Sequence, residues 1–148
     1  METKQPLGPY ICSDAACAMN ADNIRGKGKT EYQGIFVDQN GNRKQIFHYH
    51  FGDTYATNNI GEFGGLVHLL HWAETNNYQG DLYCDSKTAI SWVKKGKANT
   101  KMRGEDTRLD YLLSHFEKYL KTSKFDMSKI KHWHTKHFGE IAADFNRK

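Results

Sequence analysis

The chain is poor in the residues that mark extended, cross-linked or membrane-bound proteins. It has two prolines in 148 residues and no low-complexity tract, which argues against long disordered or linker segments. Its three cysteines, Cys12, Cys17 and Cys84, are too few and odd in number for a disulfide framework, so a reducing, cytoplasmic setting is expected. No stretch approaches the about 20 apolar residues that cross a bilayer. The opening Met1-Glu2-Thr3-Lys4-Gln5 is polar where a signal peptide carries an apolar segment. Neither membrane association nor export is expected. What is present, 38% hydrophobic and 26% charged residues, suffices for one packed core. The reading is a short tail over 1–9 and a single domain over 10–148, expected as a monomer.

Charge is unevenly spread. Residues 1–93 carry 7 Lys/Arg against 10 Asp/Glu, a net of −3, while residues 94–148 carry 14 against 7, a net of +7. A basic half suits a polyanion. Charge alone leaves a solvated helix face as the plainer explanation.

Tyr10-Ile11-Cys12-Ser13-Asp14 reads as a strand ending in a carboxylate. Gly34–Val37 reads as a second strand. Asn40-Gly41 marks a hairpin into a third over Gln45–Phe51. Ile60, Phe63, Leu66, Val67 and Leu70 recur every three or four residues and predict a helix, with Asn59 as N-cap and Glu62 as its capping-box partner. Gly64-Gly65 within it costs about 1 kcal/mol per glycine relative to alanine, which points to close packing against a sheet. Leu82-Tyr83-Cys84-Asp85 is a fourth strand, again ending in a carboxylate, and a short helix over Thr88–Lys95 follows. Leu109, Leu112, Leu113, Phe116 and Leu120 mark an amphipathic helix. A fifth strand over Ile130–His134 precedes a terminal helix near Gly139–Asn146. The order β-β-β-α-β-α-α-β-α predicts an α/β fold with a mixed five-stranded sheet flanked by helices.

Strands that end side by side bring Asp14 and Asp85 together. Glu62 lies on the helix between them, and Asp144 on the terminal helix. Taken singly, each has an ordinary use at a turn, cap or surface. Clustered carboxylates repel unless neutralised, and hard oxygen donors favour Mg²⁺, with Mn²⁺ as substitute. Two such ions about 4 Å apart make the clamp that phosphodiester hydrolysis uses.

These elements resemble type 1 ribonuclease H over nearly the whole chain. The carrying residues are Ser13-Asp14 at the end of the first strand, Thr57-Asn58-Asn59-Ile60-Gly61-Glu62 opening the first helix, and Asp85-Ser86 after the fourth strand. His134, ten residues before Asp144, completes the pattern. The resemblance implies a ribonuclease H-like fold and an endonuclease that cuts the RNA strand of an RNA–DNA hybrid, leaving 5′-phosphate and 3′-hydroxyl ends. It implies Asp14, Glu62, Asp85 and Asp144 as metal ligands and His134 as an aid to proton transfer or product release. It implies Asn20, Asn59, Ser86 and the backbone around Ala15 as contacts to the hybrid. The wide minor groove of an A-like duplex displays the 2′-hydroxyls that such contacts read. The chain departs from the family in having Ala15 where glycine is usual, Trp133-His134-Thr135-Lys136 for the usual Gly-His-x-Gly, and Glu140 where asparagine is frequent. The basic helix that some members insert after the residues matching Lys95 is not expected. Lys94, Lys95, Lys97, Lys101 and Arg103 are candidates to replace its grip.

His132, His134 and His137 form His-x-His-x-x-His, which could bind zinc with Cys84 or Cys12 but matches none of the usual zinc spacings. The cysteines read as buried thiols, and Tyr32 and Tyr78 as candidates for exposure. The rival functions are another nuclease or strand-transfer enzyme on the same fold, and a non-catalytic hybrid-binding module.

Overall fold

The computed structural model describes residues 6, 8–17, 30–52, 56–101, 103–104 and 106–145. Strands β1 (Tyr10–Cys17), β2 (Thr30–Val37) and β3 (Arg43–His50) form an antiparallel meander. Strands β4 (Leu82–Cys84) and β5 (Ile130–His132) extend it in parallel beyond β1, giving the order β3-β2-β1-β4-β5. Local chemistry makes the β2–β3 turn. The Asp38 carboxylate accepts from the backbone N–H of Asn40 and Asn42, and Gly41 takes the left-handed φ of 84°.

Helix α1 (Asn58–Thr75) lies against β1 and β2 and is buried on nearly every side. Its cap is Thr57, whose side chain accepts from the Ile60 N–H. The cap is thus two residues before Asn59, and Glu62 is too deep in the helix to be a capping-box partner. Gly64 and Gly65 do mark close packing: a methyl on Gly65 would stand 3.1 Å from Tyr32 Cβ, and one on Gly64 2.9 Å from the Phe116 ring. Tyr32, expected to be a candidate for exposure, is buried under α1, and Tyr78 is half-buried. Helix α2 (Lys87–Lys95) is capped by Ser86 and closed by Gly96 at φ 78°. Helix α3 (Thr107–Thr122) is capped by Asp106 and buries the expected leucine and phenylalanine stripe. Among the described residues no helix intervenes between α2 and α3.

The chain's end differs most from expectation. Strand β5 stops at His132, a single helical turn α4 follows over Thr135–Phe138, and residues 139–145 form no helix. Side chains from elsewhere hold that segment. Gln33 Nε2 donates to the Ala143 carbonyl at 2.6 Å, and Trp133 Nε1 donates to the Gly139 carbonyl at 2.8 Å. Ile141 and Ala143 pack on Tyr10, Cys12, Ile35, Val37 and Trp133. The sheet thus has a thick face, under α1, α2 and α3, and a thin face closed by the C-terminal segment.

Candidate active site

Register places the first two carboxylates. Ser13 on β1 is the partner of Cys84 on β4, and parallel pairing ends there. The next residues, Asp14 and Asp85, therefore stand on adjacent strands spaced about 4.8 Å apart. The Asp14 side chain projects to the face opposite Ser13, while Asp85, just past the end of β4, keeps a carboxylate oxygen within 4.8 Å of both Cys84 Sγ and a Glu62 carboxylate oxygen. Asp14 is not the last residue of its strand, because β1 continues to Cys17 in pairing with β2. It sits where one neighbour strand leaves and the other stays.

Glu62 reaches the same place from α1. Gly61 before it lies so close to β1 and β2 that an added methyl would stand 3.1 Å from Ala15 Cβ and 2.7 Å from Thr30 Cγ2. The Ala15 methyl therefore faces α1 and the core. Having Ala15 where glycine is usual therefore puts no methyl in the way of a substrate: only the Ala15 backbone can face a ligand on the Asp14 side.

The electrostatics are those of acids pressed together. Asp14, 8% exposed, is pushed up to about 7, first by burial and then by the Asp85 charge, with Asp144 adding to the rise. Burial, then Asp14 and Asp85, raise Glu62 well above its ordinary value. Glu62 is 4% exposed, and its Oε1 is buried with no hydrogen-bond partner. An orphaned buried carboxylate oxygen among other acids is costly unless a cation completes it. The donor set fits a hard divalent ion.

Asp14, Glu62 and Asp85 are thus brought together, and Asp144 is close enough to act on Asp14 although no terminal helix carries it. His134 is exposed and opens α4, with its ring 4.4 Å, centre to centre, from that of His132. Asn59 is exposed on the first turn of α1. Ser86 Oγ accepts from the Ala89 N–H, which leaves its own proton free to donate outward. Asn20 lies outside the described residues. Arg103, expected to be part of a basic grip, instead donates to the Ala98 carbonyl and to the Glu117 carboxylate.

Several residues near the site were not singled out for it by sequence. His132 Nε2 lies 3.2 Å from the Asp85 carbonyl oxygen, and Glu31, buried on β2, meets His48 Nε2 at 2.7 Å. Asp14, Gln33 and His48 form one cross-strand row, a relation visible only once register is known. Cys84 Sγ falls in the carboxylate cluster itself, within 4.8 Å of a carboxylate oxygen of both Glu62 and Asp85.

The molecule is a mixed-sheet α/β protein whose central parallel strand pair ends in clustered acids. No protein-family profile matches the chain. Solved structures are similar in fold. The protease–reverse transcriptase of prototype foamy virus is 11% identical over 97% of this chain and 19% of that one, with a TM-score of 0.50. A foamy viral protease–reverse transcriptase in complex with an RNA/DNA hybrid is 11% identical over 91% and 19%, also at 0.50. The RNase H1 of the halophilic archaeon Halobacterium salinarum is 16% identical over 84% and 83%, at 0.46. The chain spans about a fifth of the foamy viral proteins. Its fold is the ribonuclease H-like fold.

Proposed function

We propose that the chain is an endonuclease that hydrolyses the RNA strand of RNA–DNA hybrids, with residues 10–148 as its catalytic domain. The observation that carries this reading is the convergence of Asp14, Glu62 and Asp85, with Asp144 beside them, at the end of the β1–β4 pair of a ribonuclease H-like sheet. Two Mg²⁺ ions, or Mn²⁺ in their place, held by these four carboxylates would supply an activated water and stabilise the leaving oxygen. The products are then 5′-phosphate and 3′-hydroxyl ends.

The chain's own residues do the rest. Asp14 on β1, Glu62 on α1 and Asp85 at the end of β4 are held by regular elements and so are preorganised for a cation, while Asp144 is carried by the C-terminal segment. Asn59 and the Ser86 hydroxyl, exposed or half-exposed on either side, offer donors and acceptors to 2′-hydroxyls. His134, exposed past β5 with its ring beside that of His132, would exchange protons with solvent during turnover. Lys87, Lys94 and Lys95 on α2 line a groove with His132, beside Asp85, and suit a phosphate backbone.

The test is cleavage of a labelled RNA–DNA hybrid with and without Mg²⁺, beside single-stranded RNA, duplex RNA and duplex DNA. Metal-dependent cutting of the hybrid's RNA strand alone is expected. Cutting of duplex DNA instead points to another nuclease of this fold, and tight hybrid binding without cutting points to a binding module.

A further inference from the structure

We propose that Glu62, Cys84 and Asp85 form a binding site for a soft divalent cation such as Cd²⁺ or Zn²⁺, in competition with the hard ions of the same cluster. The inference rests on the reading of Glu62 and Asp85 as cation ligands and adds a third donor of different chemistry.

Three observations carry it. The Cys84 sulfur and one carboxylate oxygen each of Glu62 and Asp85 lie within 4.8 Å of one another. Zinc holds sulfur at about 2.3 Å and oxygen at about 2.0–2.2 Å, so tetrahedral ligand atoms stand roughly 3.4–3.8 Å apart. A closure of at most about 1.5 Å, within the reach of a side-chain rotation, therefore brings the three donors to a bound spacing. Glu62 supplies the independent sign of a ligand: it is 4% exposed, and its Oε1 is buried with no hydrogen-bond partner. The sulfur is itself weakly engaged. Among the described residues its hydrogen bond is a long 3.9 Å approach in which it donates to the Ser86 carbonyl oxygen, which costs little to give up.

The geometry follows from the fold. Cys84 is the last residue of β4, and its side chain points to the α1 face, where Glu62 lies. Asp85 follows it and turns toward Asp14. The three donors therefore surround the top of β4 from two sides. Thiolate and carboxylates together favour borderline and soft cations, whereas carboxylates alone favour Mg²⁺ and Mn²⁺. On binding, the metal–sulfur bond replaces the sulfur–hydrogen bond and the proton leaves to solvent. No histidine is needed: His132 is turned to the Asp85 backbone instead.

The experiment titrates the full chain with Cd²⁺ alone and follows the ultraviolet thiolate-to-cadmium charge-transfer absorption, which is independent of any nuclease activity. The wild-type protein is expected to develop the band with one equivalent of Cd²⁺. Cys84→Ser should abolish it and Cys17→Ser should leave it. Glu62→Gln, which keeps the thiol, should weaken Cd²⁺ binding at least about tenfold, the least that loss of even an outer-shell partner costs. Circular dichroism shows which variants fold, and Glu62→Gln decides the matter if Cys84→Ser does not. Absence of the band in the wild type, its survival in Cys84→Ser, or an unchanged affinity in Glu62→Gln overturns the proposal. Hybrid cleavage with Mg²⁺ but no cadmium band sinks this inference alone. A cadmium band without cleavage of any substrate sinks the nuclease reading alone.

Discussion

The two faces of the sheet are built to different standards. On the α1 face, Ile11, Phe63, Leu66, Leu70, Leu109 and Leu113 are fully buried in a continuous core that spans all three long helices. On the other face, Trp133, Ile141 and Ala143 close a far smaller cluster, and an irregular segment tied by single hydrogen bonds does the covering. The acids stand at the seam between the faces. Asp14 projects from the thin side, Glu62 descends from the thick one, and Asp85 stands just past the end of β4 within reach of Glu62. The lesson is a division of labour: the thick face supplies stability and the thin face bears the repulsion of the site.

Substitutions can break that division. The largest effect is expected on activity. Asp14→Asn or Asp85→Asn should reduce hybrid cleavage to background while the melting temperature without metal stays or rises, because like-charge repulsion falls. Loss of folding with activity retained would contradict the site. Next in size, Leu66→Ala on the thick face should cost about 2–5 kcal/mol in urea unfolding. Ile141→Ala on the thin face should fall at the low end of that range, because an irregular segment relaxes into the space. It should also weaken Mg²⁺ binding by loosening Asp144, an effect that Leu66→Ala should lack. Gln33→Ala removes one side-chain tie to Ala143 and should cost about 1 kcal/mol. His134→Ala should slow turnover by less than the roughly 100-fold typical of a buried general base, since the ring is exposed. Unchanged turnover there would show that the bulky Trp133–Lys136 loop has no part in the reaction.

Most of the fold was legible because its signals are local. The strand order along the chain, the α1 periodicity, the Asn-Gly turn and the α3 stripe all follow from spacing, and all have their counterparts in the structure. The convergence of Asp14, Glu62 and Asp85 was legible through the ordered family pattern and not through local signals, because how α1 crosses β1 and β4 is a tertiary matter. The failures lie where tertiary contacts decide. Thr57 took the α1 cap from Asn59, a choice between adjacent polar residues that spacing does not settle. The terminal helix was wrong because residues 139–145 draw their hydrogen bonds and burial from Gln33, Trp133 and the β1–β2 face rather than from one another. Cys84 went unnoticed at the site because its proximity to Glu62 depends on how α1 crosses β4, which no local pattern encodes.

The central claim is that Asp14 and Glu62 share a buried site whose charge is held back until a cation arrives. Carboxyl-carbon NMR titration of these two residues, with and without Mg²⁺, tests it most directly. Both folded-state values are raised above those of the unfolded chain. Stability without metal should therefore be full below about pH 4 and fall as the pH rises through about 7. The account predicts that Asp14 titrates near 7 and Glu62 well above the usual carboxylate range, and that Mg²⁺ returns both to low values. Ordinary titration of both near pH 4, unmoved by Mg²⁺, would contradict it.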